Sequence, residues 1–289
     1  MERHPVAGWL FVLPATVFIL SFTDLPLVAT LASSFYTAPF AGHPGHYVGL
    51  DNYNGLIADP AFRQSLWNNV LYAAVTVPAA VVLAMAMALA VNAAIPGRAW
   101  LRLSFFLPTM LPMIAVGTIW LFFYTPQYGL VDRFTSLIGL GQINWLGDTS
   151  TALPAMMAIA IWKQAGFFMI FYLAALQNIP PPLREAAALE GVSRFYFFRR
   201  VTLPLLGPTT LFVMVTAAIN AFSVVDHVVE MTQGGPDNAS SLLLYYVYAT
   251  GFRYWNTHAA AAATMVLVLI LSLLAALMFG VFGRKVHYR

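Results

Sequence analysis

Lys163 sits about eleven residues into the apolar run Ala152–Leu176, near mid-bilayer if that run is a membrane helix rising ~1.5 Å per residue. An ammonium group in hydrocarbon is costly, so it must face a cavity, a water path or a carboxylate. Trp162 and Gln164 flank it with an aromatic face and an amide, both suited to a polyhydroxylated ligand. In another apolar run Asn220, Ser223 and Asp226 recur at i, i+3 and i+6. A helix there puts Asn220 and Ser223 on one face, with Asp226 further round near the outer end. Asp24 is a third charge inside an apolar run. Two chemistries are open to these groups: lining a polar path for a solute, or relaying protons through Asp24, Lys163 and Asp226. Structural roles stand beside both. Lys163 can pair with Asp24 or with another subunit, and Asn220 can hydrogen-bond a neighbouring helix.

Catalysis finds little support. The histidines (His4, His43, His46, His227, His258, His287) are scattered. His43 and His46 are close enough to share a metal, but Pro44 and Gly45 between them read as a loop. No GxxxxGK[ST] pattern is present, so the chain is not expected to bind and hydrolyse ATP by itself. Met85, Met87, Met110 and Met113 read as packing. There is no cysteine, which removes disulfides, thiol chemistry and thiolate metal sites.

The most polar stretch with helical grammar is Gln177–Pro208, QNIPPPLREAAALEGVSRFYFFRRVTLPLLGP. Pro180, Pro181 and Pro182 stop one helix and open the next. Leu183–Glu190 is expected to be a short helix, Gly191 its end at positive φ, and Ser193 the N-cap of a second helix carrying Arg194, Arg199 and Arg200. Leu203-Pro204 and Gly207-Pro208 are expected to turn the chain back into an apolar run. A helix this short needs a partner surface. Ala186, Ala187 and Ala188 would allow close backbone approach, with Glu185 and Glu190 fixing orientation; an ordinary loop of helical composition is the plain alternative.

Glu185-Ala186-Ala187, then Gly191, then Val201-Thr202-Leu203-Pro204, resembles the EAA loop of ABC-importer permeases. Val201 stands where that family usually has Ile, and Glu190 where Asp is frequent. The resemblance runs through nearly the whole chain: Leu13-Pro14, Gly49-Leu50-Asp51-Asn52-Tyr53, Trp162-Lys163, Gly234-Gly235-Pro236 and the closing Val286-His287-Tyr288-Arg289. These are similar to the carbohydrate-type permeases, and most of all to the glycerol-3-phosphate branch. The resemblance implies an all-α polytopic membrane protein with the type I ABC importer permease fold: six transmembrane helices and a cytoplasmic coupling loop at residues 178–208, in a single transmembrane permease domain over 1–289. Glu185, Ala186, Ala187, Glu190, Gly191, Leu203 and Pro204 would couple to ATPases. Trp162, Lys163, Gln164, Asn220, Ser223 and Asp24 are the candidates for the substrate path. The implied partners are a second homologous permease, two cytoplasmic ATPase subunits, an extracytoplasmic solute-binding protein and membrane lipid, with no nucleic acid. ATP and Mg would belong to the ATPases, and this chain would carry no cofactor.

The elements that must position these residues are apolar runs. Of 289 residues 60% are hydrophobic and 9% charged, with a mean hydropathy of +0.75. A soluble domain carries about 25% charge, so the main solvent here must be lipid, and the length that would suggest two soluble domains reads as one membrane domain. The runs are Trp9–Phe35, Asn69–Ala93, Leu103–Tyr124, Ala152–Leu176, Leu205–Val225 and Ala259–Phe282. The first is far too long for the h-region of a signal peptide, although Thr30 and Ala32 make a passable cleavage site. Pro14 and Pro26 are expected to kink or locally unwind it. Polar connections are read at Tyr36–Trp67, Thr125–Ser150 and His227–His258, and a short turn at Ile95–Arg102.

Six crossings put both termini on one side. Arg3, Arg98, Arg102, Arg184, Arg194, Arg199, Arg200, Arg284, Lys285 and Arg289 fall on that side; only Arg63, Arg133 and Arg253 fall on the other. The positive-inside rule makes the first side cytoplasmic in a bacterial inner membrane. Reporter fusions after Arg98 and after Arg200 are therefore expected to read cytoplasmic, and fusions near His43 and Asp237 external. An external Arg200 would overturn the orientation.

Overall fold

The computed structural model describes residues 5–37, 45–93, 96–139 and 141–282. Arg3, His4, His43, Pro44, Ile95, Arg284, Lys285 and Val286–Arg289, all used in the sequence reading, lie outside them. Among the described residues the chain is helical, apart from one isolated antiparallel bridge between Tyr36 and Tyr47. Five helical segments among the described residues are long and apolar enough to cross a membrane: Trp9–Ser33, Pro60–Asn92, Ala152–Gln177, Gly207–Met231 and Thr257–Gly280. A sixth crossing is available if the bent pair Arg98–Met110 and Met113–Tyr124 forms one span.

The described residues cluster in two compact units, Met1–Arg63 with Tyr246–Leu269 and Gln64–Tyr245 with Ile270–Arg289. In the first, α1 (Pro5–Ile19) and α2 (Leu25–Ser33) are joined by a π turn at Leu20–Asp24. Pro26 lacks an N–H and crowds the carbonyl four residues back; the wider turn, closed by Leu25 N–H to the Leu20 carbonyl, makes room for it. Pro14 lies inside α1 without a break in the helix. The motif Gly49–Tyr53 has a mechanical role. Gly49 takes φ +58, α3 (Asp51–Ala58) starts, and Asn52 Nδ2 donates to the carbonyls of Ser34 (2.8 Å) and Tyr36 (3.0 Å). Those carbonyls lie just past α2, where nothing in that helix bonds them. Asp59 Oδ1 accepts from Ala61 N–H at 2.8 Å, and Pro60 occupies the first position of α4 (Pro60–Asn92). The connection read at Tyr36–Trp67 is therefore largely helical: α4 begins nine residues before Asn69, because Asp-Pro is a helix start that hydropathy alone passes over. Tyr246 Oη donates to Asp59 Oδ2 at 2.6 Å; burial and that carboxylate both push its phenol pKa up.

The second unit is built on helix contacts between small and large side chains. Along α4, Ala80, Ala84 and Ala88 form a fully buried stripe at i, i+4 and i+8. It belongs to one core with Phe168, Met169, Tyr172 and Leu176 of α8 (Ala152–Gln177), and with Val213 and Ala217 further on. Lipid is as apolar as leucine, so this close packing stabilises the contact where a hydrophobic force cannot. α5 (Arg98–Phe106) continues as a 3-10 turn at Leu107–Met110, and α6 (Met113–Tyr124) leaves it at 104°. The short α7 (Leu130–Leu137) follows. Where α5 crosses α8, a Cβ on Gly166 would lie 2.1 Å from the Phe105 carbonyl oxygen. Only glycine permits that approach.

The polar stretch forms α9 (Pro181–Leu189), α10 (Arg194–Phe197), a π turn at Phe198–Thr202 and α11 (Leu203–Leu205), and leads into α12 (Gly207–Phe222). Leu203-Pro204 and Gly207-Pro208 do not turn the chain, contrary to expectation. The π turn ahead of Pro204 accommodates its ring as the Leu20–Asp24 turn accommodates Pro26, and Leu206 N–H still reaches the Thr202 carbonyl at 3.0 Å. Beyond α12 the region read as the polar connection His227–His258 contains α13 (Asp226–Met231), α14 (Leu243–Tyr248) and a π turn at Ala249–Arg253, before α15 (Thr257–Phe282). Buried amides hold this region to α4: Asn68 Nδ2 donates to the Asn238 and Ser241 carbonyls, and Asn69 accepts from Leu243 N–H.

Gly166→Ala should lower the thermal stability of the purified protein by about 1–3 kcal/mol, the range for overpacking a close contact. Gly55→Ala, where an added Cβ meets nothing within 4 Å, serves as the control and should not. Equal melting of the two variants would show that the α5–α8 approach is not tight.

Candidate functional site

The break between α5 and α6 follows from two prolines. Pro108 sits in the first turn of the 3-10 segment. Leu111 precedes Pro112, which disfavours the helical region, and Leu111 takes φ −80, ψ 138. Its carbonyl thereby leaves the helical ladder. Lys163 Nζ donates to that oxygen at 2.7 Å. The ammonium thus meets a backbone carbonyl at the break. The anchor is set by α8: Lys163 stands one turn before Gly166, where α5 rests on the helix. A charge-assisted bond of this kind is roughly twice as strong as a neutral one.

Beside this bond lies a cavity of about 310 Å³. α8 contributes Ala160, Lys163, Gln164 and Phe167, spaced i, i+3, i+4 and i+7 on one face. The end of α12 and the start of α13 contribute Asn220, Ser223, Asp226 and His227. α12 ends at Phe222, and a two-residue irregular stretch separates Ser223 from α13, so Asp226 opens a new helix and does not continue the old one. That break returns Asp226 to the side shared by Asn220. The structure therefore brings together Lys163, Gln164, Asn220, Ser223 and Asp226.

Hydrogen-bonding capacity in the cavity is unevenly committed. Lys163 is engaged by Leu111, Ser223 Oγ donates to the Ile219 carbonyl at 2.9 Å, and Thr109 Oγ1 to the Phe106 carbonyl at 2.7 Å. Gln164, Asn220 and Asp226 make no such bond among the described residues and keep their groups for a ligand or water. Two expected path residues are not in the lining. Trp162 packs edge-to-face on Trp120 of α6, with centroids 5.6 Å apart. Asp24 lies exposed in the π turn of the first unit. Phe167 and His227 escaped the sequence reading, although Phe167 was legible at i+4 from Lys163. His227 is buried, with Nε2 3.4 Å from Tyr72 Oη. Glu230, one turn beyond Asp226, accepts from Thr118 Oγ1 at 3.0 Å. Among the described residues no three His, Asp or Glu side chains gather as a metal site would require.

The polar loop is a second candidate site. Gly191 has φ +67, as expected of the residue that ends α9. Val192 N–H bonds the Ala187 carbonyl and Gly191 N–H the Ala188 carbonyl, the paired bonds of a Schellman stop. Ser193 caps the next helix by accepting from Tyr196 N–H at 3.3 Å. α9 opens at Pro181, two residues earlier than expected, so Glu185 stands in the second turn, past the unpaired amides of the helix start. Arg184 donates to the Leu176 carbonyl at the end of α8, tying the loop to the helix that carries Lys163. Ala187 faces inward over a cavity, whereas Glu185, Ala186, Glu190 and Gly191 are exposed and Leu189 is 91% exposed.

Residues 62–288 match the family of binding-protein-dependent transport system inner membrane components. A probable ABC transporter permease of Bacillus subtilis is 32% identical over 94% of this chain and 95% of its own length. The lactose transport system permease LacF of Rhizobium radiobacter is 33% identical over 96% and 94%. The sn-glycerol-3-phosphate transport system permease UgpA of Agrobacterium fabrum is 30% identical over 99% and 97%. Among solved structures, a chain of a bacterial ABC transporter that imports the acidic polysaccharide alginate superposes with a TM-score of 0.85 at 22% identity, over 96% of this chain and 95% of that one. Helical spans, a cavity beside a broken helix and a capped polar loop agree with these likenesses. The chain belongs to the binding-protein-dependent transport system inner membrane components and is the permease subunit of an ABC importer, a membrane component whose ATPase activity lies in partner subunits.

Proposed function

We propose that the chain forms half of the translocation path for an uncharged, polyhydroxylated solute of the sugar or polyol class. The observation that carries this reading is the cavity's charge balance. Its charged lining residues are Lys163, already bonded to the Leu111 carbonyl, and the carboxylate of Asp226. A phosphate monoester, with a charge of about −1.5 to −2, would meet one cation, which gives one of its three N–H donors to Leu111, and one repelling anion. A sugar hydroxyl is served by Asp226 as acceptor, by the amides of Gln164 and Asn220 in either role, and by Phe167 against its apolar face. Lys163, Gln164, Asn220 and Ser223 belong to the path, while Trp162 packs on Trp120 outside the cavity lining. Relatives named for lactose and for glycerol 3-phosphate are about equally similar, so they do not decide between the classes.

The loop 178–208 is the seat of an ATPase subunit. Both termini and this loop face the cytoplasm, a second homologous permease completes the path, two ATPases dock, and an extracytoplasmic solute-binding protein delivers the solute; ATP and Mg belong to the ATPases. The physical route is short. A helical run from Arg194 to Phe222, interrupted at Leu206, ends beside Asn220 and Ser223. Arg184 ties the same loop to α8, which carries Lys163 and Gln164. A rigid displacement of the loop therefore reaches both walls of the cavity.

Uptake by the assembled complex should be competed by neutral sugars or polyols and not by sn-glycerol 3-phosphate, and Lys163→Met should reduce uptake while the complex still assembles. Competition by the phosphate ester alone would sink the substrate reading, and wild-type uptake by the variant would sink the role of Lys163. Gly191→Asp should abolish uptake with assembly retained, because φ +67 is strained for any side chain. With no native cysteine, Leu189→Cys should cross-link to a cysteine placed in the ATPase groove. Absence of every such cross-link in an active complex would show that the loop is not the docking element.

A further inference from the structure

Helix α7 has its polarity reversed relative to a helix on a water-facing surface. Its buried side chains are Asp132 (1% exposed) and Thr135 (6%). Its outward side chains are Leu130, Phe134 and Leu137, with Ile138 just past the end, spaced i, i+4, i+7 and i+8 along one stripe. They are 56%, 63%, 85% and 56% exposed. Asp132 has a structural reason to face inward: Oδ2 accepts from Gln127 N–H at 2.8 Å and Oδ1 from Ile143 N–H at 2.9 Å, stapling both flanks of the connection. Nothing comparable explains the outward leucines and phenylalanine. A contiguous apolar stripe in water is unfavourable in proportion to its area.

The position of α7 says what covers the stripe. α7 follows α6, the second half of the bent apolar pair, and Gly129, at the turn between them, packs so tightly that an added Cβ would lie 2.2 Å from the Phe123 carbonyl oxygen. The start of α7 is thus held against the last turn of α6, at the end of a helix pair that together is long and apolar enough to cross a membrane. α6 itself presents exposed Ile114, Ile119 and Phe122. Tyr128, an aromatic of the kind that concentrates at the headgroup level, stands exposed between them. Arg133 is exposed at the edge of the stripe, with reach to lipid phosphates. We propose that α7 is an interfacial helix, lying in the membrane–water boundary with Leu130, Phe134 and Leu137 immersed among lipid chains and its polar side turned to the protein.

The chain lacks cysteine, so single labels can be placed cleanly. Leu137→Cys and Leu130→Cys, each carrying an environment-sensitive fluorophore, are compared with Ser150→Cys in the exposed part of the same connection, in the complex reconstituted into phosphatidylcholine vesicles. Labels at 137 and 130 should be quenched several-fold more by doxyl groups on the lipid chains than by aqueous iodide, with the reverse order at 150. Iodide quenching at 137 and 130 equal to that at 150 would overturn the proposal in favour of a solvent-facing stripe. Shielding from both quenchers, or a change on adding the extracytoplasmic binding protein, would overturn it in favour of a protein partner. The two positions report the same face, so loss of either variant leaves the test standing.

Discussion

The bond from the Lys163 ammonium to the Leu111 carbonyl is the contact on which the rest of the site depends. A proline break in a membrane helix frees carbonyls that lipid cannot solvate, and each costs free energy until something donates to it. A lysine in mid-membrane has the opposite need. The two costs cancel only if the lysine and the break meet. Gly166 brings them together, because it lets the backbone of α5 lie against α8 one turn from Lys163. The 104° bend then leaves room beside the bond, and the early end of α12 turns Asn220 and Asp226 into that room.

A second consequence concerns motion. An element that responds to ATP needs two arrangements of similar free energy, and tightly interdigitated cores do not supply them. Both walls of the cavity pack on α4 in one such core, so the two arrangements must differ at their ends. The α8 wall is held by Arg184 at its loop end and by Lys163 in the membrane; the α12 wall ends in a break at Ser223. The π turn before Pro204 lets a proline sit in the helical run that leads from the loop, with one interruption at Leu206, to the cavity.

Much of this was legible in the sequence. The positions of the apolar runs, the charge at Lys163, the left-handed Gly191 and the capping Ser193 each follow from local chemistry, and the structure realises them, with helix ends that differ by up to nine residues from the predicted runs. The illegible parts share one cause: a break or a start that depends on where the chain goes next. Leu203-Pro204 reads as a turn from composition, yet a π turn absorbs it. Asp226 reads as a continuation of α12, yet the helix stops at Phe222 and the carboxylate returns to the cavity from a new helix. Trp162 reads as a path residue beside Lys163, but adjacent positions on a helix point about 100° apart, and Trp162 meets Trp120 on another face. His227 and Glu230 were passed over because the sequence put them in a polar connection outside the membrane. Only the fold shows α13 packed against α6, with Glu230 on Thr118.

The most direct measurement of the central claim is the distance across the break. Spin labels on Leu103→Cys in α5 and Ile119→Cys in α6, both exposed positions, report the bend by pulsed dipolar spectroscopy in lipid, with the natural lysine and with Lys163→Met. If the Lys163–Leu111 bond holds the bend, the lysine protein gives one narrow distance, and the methionine variant a shifted or broadened distribution. An identical narrow distance in both would contradict the account, because the prolines alone would then fix the geometry of the site.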